Sequence, residues 1–198
     1  SAAEKFTDDY LAAAIAYAHS LGRKVPITVN TLPRTNEYPA LREYFEFLGT
    51  VKPDALIIAD AGVFALAREV LPETEIHVST QAGIVSAADC LFWRSLGAKR
   101  AVLARELSLD EIIEIRRNVP DDFEIETFVH GSMCVSFSGR CLLSNALTGR
   151  DGNRGSCAQP CRWSYTISLE NRNDSPMSID ETPDGTFLMS SIDLCMIE

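Results

Sequence analysis

Up to about residue 130 the chain switches between two periods of apolar and polar residues. Stretches with apolar residues three and four apart, as on a helix with one buried face, end at Gly or Pro. They give way to short continuous apolar runs, as in strands covered on both faces. Leu11, Ala14, Ile15 and Ala18 share one helical face, with Thr7 as cap and Gly22 as stop, and a strand follows over Val25–Asn30. A helix over Tyr38–Leu48 leads through Pro53 to a strand Asp54–Asp60, and Val63–Leu71 leads to a strand Glu75–Thr80. Helix Ser86–Leu96, stopped by Gly97, leads to a strand Arg100–Glu106. Ser108 and Glu111 then form a capping box that opens a helix before a strand Phe123–His130.

Successive strands start 21 to 29 residues apart, which predicts an α/β fold of five parallel strands joined by four helices. A doubly wound open sheet is the plainer architecture. However, no Gly-rich phosphate loop follows any strand, and the strands end at or beside Asn30, Asp60, Gln81, Glu106 and His130. Polar strand ends of this kind line the mouth of a (β/α)8 barrel, so a TIM-like barrel is the favoured reading. Five strands do not close an eight-stranded barrel, and the chain opens on a helix, so the expectation is a partial barrel. Residues 1–130 would form its βα repeats. Residues 131–198 would form a Cys- and Arg-rich segment after the fifth strand, with a short strand over Ser164–Leu169 and an exposed polar loop over Asn171–Asp184.

Charge divides the chain in the same place. Of 18 basic and 28 acidic side chains, residues 1–129 hold 13 and 20, residues 130–165 hold four and one, and residues 166–198 hold one and seven. The net charge of −10 argues against diffuse binding to nucleic acid or to an anionic membrane. It leaves one positive island, supplied entirely by arginine. Arg140, Arg154 and Arg162, with Arg150, are candidates for binding a carboxylate or phosphate, because a planar guanidinium grips such groups with two parallel hydrogen bonds. Pairing with Asp151 and neighbouring acids is the alternative. No apolar run approaches the length of a membrane span, and the start of the chain lacks a secretory pattern, so a cytoplasmic protein is expected.

Five of the six cysteines, Cys134, Cys141, Cys157, Cys161 and Cys195, fall within or after the island. Thiols this dense in a cytoplasmic protein are metal ligands or redox groups more often than disulfides. Cys90, alone on an amphipathic helix, reads as a buried small hydrophobe. Zinc favours two close pairs, and only Cys157 and Cys161 are close, so the spacing suits an iron–sulfur cluster better.

The stretch ETFVHGSMCVSFSGRCLLSN at 126–145, followed by GRDGNRGSCAQPCRW at 149–163, resembles the signature of peptidase family U32, historically called collagenase-like proteases. TVNTLP at 28–33, IHVSTQA at 76–82, VLARELS at 102–108 and SIDLCMI at 191–197 agree with it. The resemblance implies one of two activities. One is proteolysis. The other is oxygen-independent hydroxylation of ribosomal RNA, of transfer RNA or of a ubiquinone precursor, with a [4Fe–4S] cluster. By motif position the cluster ligands are Cys134, Cys141, Cys157 and Cys195, with Cys161 as the alternate. The resemblance also implies a further βα unit before the chain and further strands after it. Those strands, or a second copy of the chain, would cover the open sheet edge.

Residue chemistry weighs against proteolysis. A Ser132/His130 pair or a cysteine with His130 is conceivable, but neither explains four or five spaced thiols. A hydroxylase acting on RNA or on an anionic small molecule is therefore expected, with a peptidase and a noncatalytic cluster-bearing module as alternatives. The catalytic candidates are His130, Glu106, Gln81 and Asn30. No lysine lies in 130–165, which excludes a Schiff base from that segment.

Overall fold

The computed structural model describes residues 6–131, 133–163, 165–167, 177–179 and 194–195. It divides into two units, Ser1–Thr127 and Phe128–Glu198.

In the first unit, helices alternate with strands: α1 (Asp8–Ser20), β1 (Pro26–Val29), α2 (Tyr38–Val51), β2 (Ala55–Ile58), α3 (Ala61–Val70), β3 (Glu75–Val78), α4 (Ala87–Ser95), β4 (Arg100–Val102), α5 (Leu109–Asn118) and β5 (Glu124–Glu126). The helix starts are written in the sequence. Thr7 accepts the Tyr10 N–H, and Asp60 accepts the Val63 N–H at 2.9 Å. Ser86 with Asp89 and Ser108 with Glu111 form reciprocal capping boxes.

The five strands are parallel and lie in the order β1-β2-β3-β4-β5. With no reversal in that order, right-handed crossovers lay successive helices on one face of the sheet. That face holds the core. Leu56, Ile58, Ile76, Val78 and Ala101 pack with Phe45 and Leu48 of α2, Val63, Phe64 and Ala67 of α3, Cys90 of α4 and Ile115 of α5.

Strand alternation places His77, Arg100, Glu124 and Glu126 on the other face. Arg100 donates to Glu124 at 2.7 Å and to Glu126 at 2.8 Å. His77 is buried, and its Nε2, 3.5 Å from the Glu75 carboxylate, makes no hydrogen bond among the described residues. Burial, with Arg100 acting the same way, holds the His77 pKa below its ordinary 6.5, against the opposing pull of Glu75 and Glu124. The unfolded chain therefore binds the His77 proton more readily, and stability falls as pH drops through 6.5 towards the lowered folded value. Urea midpoints measured between about pH 7.5 and about pH 5.5 should fall more steeply in the wild type than in His77→Gln. Parallel slopes would show that His77 carries no such linkage.

The observed strands are shorter than the sequence suggests. The chain leaves β4 after Val102, where the Leu103 N–H still reaches the Glu126 carbonyl but the Ala104 N–H turns to Ile84. Without a partner beyond that point β5 stops at Glu126, so His130 is not the end of the fifth strand. It lies instead in β6 (His130–Gly131) of the second unit.

In that unit β6 pairs antiparallel with β9 (Leu194–Cys195), which sets the Cys195 backbone opposite His130. Between them come α6 (Leu143–Thr148), three single 3-10 turns, and the antiparallel pair β7 (Tyr165–Ile167) and β8 (Met177–Ile179). The loop expected over Asn171–Asp184 thus contains a strand. Met177-Ser178-Ile179 has the alternation of a short strand, which the polarity of its surroundings conceals. Among the described residues no helix is long and apolar enough to cross a membrane.

Candidate functional site

The second unit gathers the cysteine segment through local hydrogen bonds. Cys141 lies just before α6, and its sulfur accepts the Leu143 N–H at 3.3 Å. Cys157 repeats the arrangement two residues from Gln159, whose N–H reaches its sulfur at 3.3 Å. Gln159 itself holds φ 55, a left-handed conformation unusual for a residue other than glycine. Cys161, in the turn Pro160–Arg162, is buried, and its sulfur accepts the Val135 N–H. Burial pushes the Cys161 pKa up, the nearby Cys134 and Cys157 thiols push the same way, and the Val135 N–H and Arg162 oppose them. Cys161 thus lies close enough to both Cys134 and Cys157 to sense their charge. None of the five cysteines with described side chains is in a disulfide.

The loops between these sulfurs are pinned by polar side chains. Asn153 accepts the Cys141 N–H at 3.2 Å and donates to the Cys141 carbonyl at 3.0 Å. Ser144, almost fully buried, accepts the Ala158 N–H at 2.9 Å, which ties α6 to the residue after Cys157. Arg150 donates to the Ser156 carbonyl at 3.0 Å, and Arg162 to the Met133 carbonyl at 3.3 Å. Arg162, expected to bind substrate, therefore spends at least one N–H on bracing the loop before Cys134. Arg140 is exposed, and Arg154 is half-buried in the turn Gly152–Arg154.

Among the described residues, no three His, Cys, Asp or Glu side chains converge as ligands of a single metal ion. Zinc, at about 2.3 Å from each sulfur, would draw its ligand sulfurs to within roughly 4 Å of one another. A cube of four irons holds its thiolates farther apart. Backbone N–H groups aimed at sulfur are among the features that set the potential of such clusters. Thiolates with backbone N–H groups aimed at them are the kind of donors that would hold an iron–sulfur group. Cys195 is described only through its backbone, whose pairing with His130 returns the chain to the start of the cysteine segment.

The remaining candidates sit in the first unit. Asn30, directly after β1, donates to the Ser79 hydroxyl at 2.9 Å, while its own Oδ1 is buried with no partner among the described residues. Gln81 lies in the turn Thr80–Ala82, where its N–H meets the same hydroxyl at 3.3 Å. Glu106 is exposed, four residues past the end of β4. The structure thus joins Asn30 and Gln81 through Ser79, whereas His130, also exposed, belongs to the second unit. Ser132 lies outside the described residues.

Sequence reasoning missed Ser79, Ser144 and Asn153. The signals were weak but present. Ser79 precedes two polar residues at a strand end, and Asn153 follows a glycine midway between Cys141 and Cys161.

Comparison with known proteins agrees with the signature. The sequence profile of peptidase family U32 matches residues 1–198. The chain is 42% identical over 195 residues to tRNA hydroxylation protein P of Helicobacter pylori J99, covering 98% of this chain and 46% of that protein. It is 39% identical over 157 residues to the 23S rRNA 5-hydroxycytidine C2501 synthase of Escherichia coli K12, covering 79% of this chain and 23% of that one. The chain therefore spans less than half the length of these two curated relatives. A solved U32 peptidase structure shares the fold at a TM-score of 0.53 and 20% identity, over 63% of this chain and 53% of that one. Fold, signature and relatives agree that the chain belongs to peptidase family U32.

Proposed function

We propose that the chain forms the cluster-bearing part of an RNA-modifying hydroxylase. Two relatives are named for hydroxylation of tRNA or for synthesis of hydroxycytidine in 23S rRNA, which supports this substrate class. The observation that carries the reading is structural. The sulfurs of Cys141, Cys157 and Cys161, brought into one loop cluster, each accept a backbone N–H. A peptidase needs one activated nucleophile and has no use for three such sulfurs.

The group held would be a [4Fe–4S] cluster on Cys134, Cys141, Cys157 and Cys195, with Cys161 as the alternate ligand. When bound it supplies one-electron transfer without molecular oxygen. The chain's own contribution is to fix the directions of the sulfurs and present cationic groups at the same loops. The uninterrupted strand order supports a partial (β/α)8 barrel. Further strands, or a second copy, would complete the hydrogen bonding of the open edges β1 and β5. No helix among the described residues is long and apolar enough to cross a membrane, and the protein would act in the cytoplasm.

Arg140 and Arg154 are the candidates for gripping a phosphate or carboxylate of the substrate. A charge-assisted hydrogen bond is worth about 1.5–3 kcal/mol, so losing one should cut product formation roughly tenfold to a hundredfold. The test is mass spectrometry of nucleosides from tRNA and rRNA, in cells whose only copy of the protein carries Arg140→Ala or Arg154→Ala. Loss of a hydroxylated nucleoside with unchanged protein abundance supports the assignment. Full product with both arginines removed would make them structural, and an unchanged nucleoside profile on deleting the whole protein would refute the RNA substrate.

A further inference from the structure

The turn between Cys141 and Cys157 is built as a spacer. Asp151 accepts the Asn153 N–H at 2.9 Å, which closes the turn Gly152–Arg154 on itself. Asn153 then addresses Cys141 with both ends of its amide, accepting from its N–H and donating to its carbonyl. That two-point clamp fixes the Cys141 peptide as a strand neighbour would, and so fixes the direction in which the sulfur leaves the backbone. The preceding residue faces the other cysteine. A Cβ built on Gly152 would lie 3.4 Å from the Cys157 Cβ and 3.6 Å from its sulfur. Two consecutive residues therefore lie against two different cysteines, one through hydrogen bonds and one by close approach.

From this the geometry points to Asn153 as a positioning residue that sets the spacing of Cys141 and Cys157 before any cofactor arrives. The inference rests on the cluster reading for its purpose but not for its geometry, since the clamp exists in the protein alone. A carboxamide is the side chain that offers a donor and an acceptor side by side without charge. Aspartate at 153 would keep the acceptor but lose the donor, and alanine would lose both. Ser144 acts from the other side, holding the Ala158 N–H against α6, so Asn153 and Ser144 fix the two loops independently.

The experiment uses the reduced, cofactor-free chain and follows alkylation of each cysteine by iodoacetamide with mass spectrometry. Anaerobic reconstitution with ferrous iron and sulfide is then run on the same samples. Cys90 is the internal control. It is fully buried in the first unit, with its pKa pushed up to about 11 by burial, and it reacts only if the fold opens.

In Asn153→Ala, Cys141 should react about fivefold to tenfold faster than in wild type, the change expected on losing roughly one net hydrogen bond. Cys90 should stay protected, and iron uptake should fall by at least about half, since outer-shell partners of metal sites are worth 10–100-fold in affinity. Asn153→Asp should show a smaller selective rise at Cys141, and Asn145→Ala, at an exposed position of α6, should match wild type. If Cys90 opens in the alanine variant, Asn153→Asp decides, and wild-type reactivity at Cys141 there overturns the proposal. Unchanged Cys141 reactivity and iron uptake in Asn153→Ala also overturn it. If the wild type takes up no iron while the selective rise at Cys141 appears, the clamp stands and the cluster reading fails.

Discussion

Serine in place of Cys141 or Cys157 should leave the reconstituted chain with less than one iron, against about four in the wild type. Oxygen is a poor ligand for iron that prefers thiolate, and each substitution also discards a sulfur already held by a backbone N–H, from Leu143 or from Gln159. In the cell the hydroxylated nucleoside should fall by more than about a hundredfold, because losing an outer-shell partner alone costs up to that much. Cys161→Ser separates the two ligand sets. Retained iron assigns the cluster to Cys134, Cys141, Cys157 and Cys195, whereas its loss places Cys161 among the ligands. Since Cys161 is buried and Cys157 exposed, far-ultraviolet circular dichroism on each variant checks that iron loss is not unfolding. Normal iron content in both Cys141→Ser and Cys157→Ser would remove these residues from the site.

The largest stability effect is expected at Phe45. Its ring is fully buried between α2 and the sheet, in the cluster that includes Leu48, Leu56 and Val63. Phe45→Ala removes that packing and leaves a cavity, a change that costs about 3–5 kcal/mol. Urea denaturation followed by circular dichroism should show a lower midpoint with an unchanged slope. A loss under about 1 kcal/mol would mean that the sheet and α2 close over the gap, and that the core is less tightly packed than the burial of Phe45 implies.

How much could be read from the sequence follows from the range of the interactions concerned. Helix starts at Thr7 and Ser108 and the sequential strands are local, because caps and periodicity act within a few residues. The ends of the strands are not. The sequence predicts strand termini at Glu106 and His130 because it stays β-rich up to them. Whether a β-rich stretch is paired depends on its neighbour, and β4 gives β5 only three residues of ladder. The strand at Met177–Ile179 was hidden for the same reason, since its partner Tyr165–Ile167 lies ten residues upstream.

The cysteines were conspicuous by spacing, but the groups that aim them were not. Asn153 and Ser144 are unremarkable in a loop rich in polar residues, and their roles emerge only when Cys141 and Ala158 come within hydrogen-bond reach. Arg162 shows the converse. Its type and position suggest anion binding, while in space one of its N–H groups is engaged by Met133.

The central claim is that these thiols hold an iron–sulfur cluster, and its most direct measurement is iron and acid-labile sulfide per chain after strictly anaerobic purification. The expected result is about four of each, with a brown colour that bleaches in air. A colourless protein carrying no iron and one zinc ion per chain would contradict it, and would make the cysteine loops a structural or hydrolytic metal site.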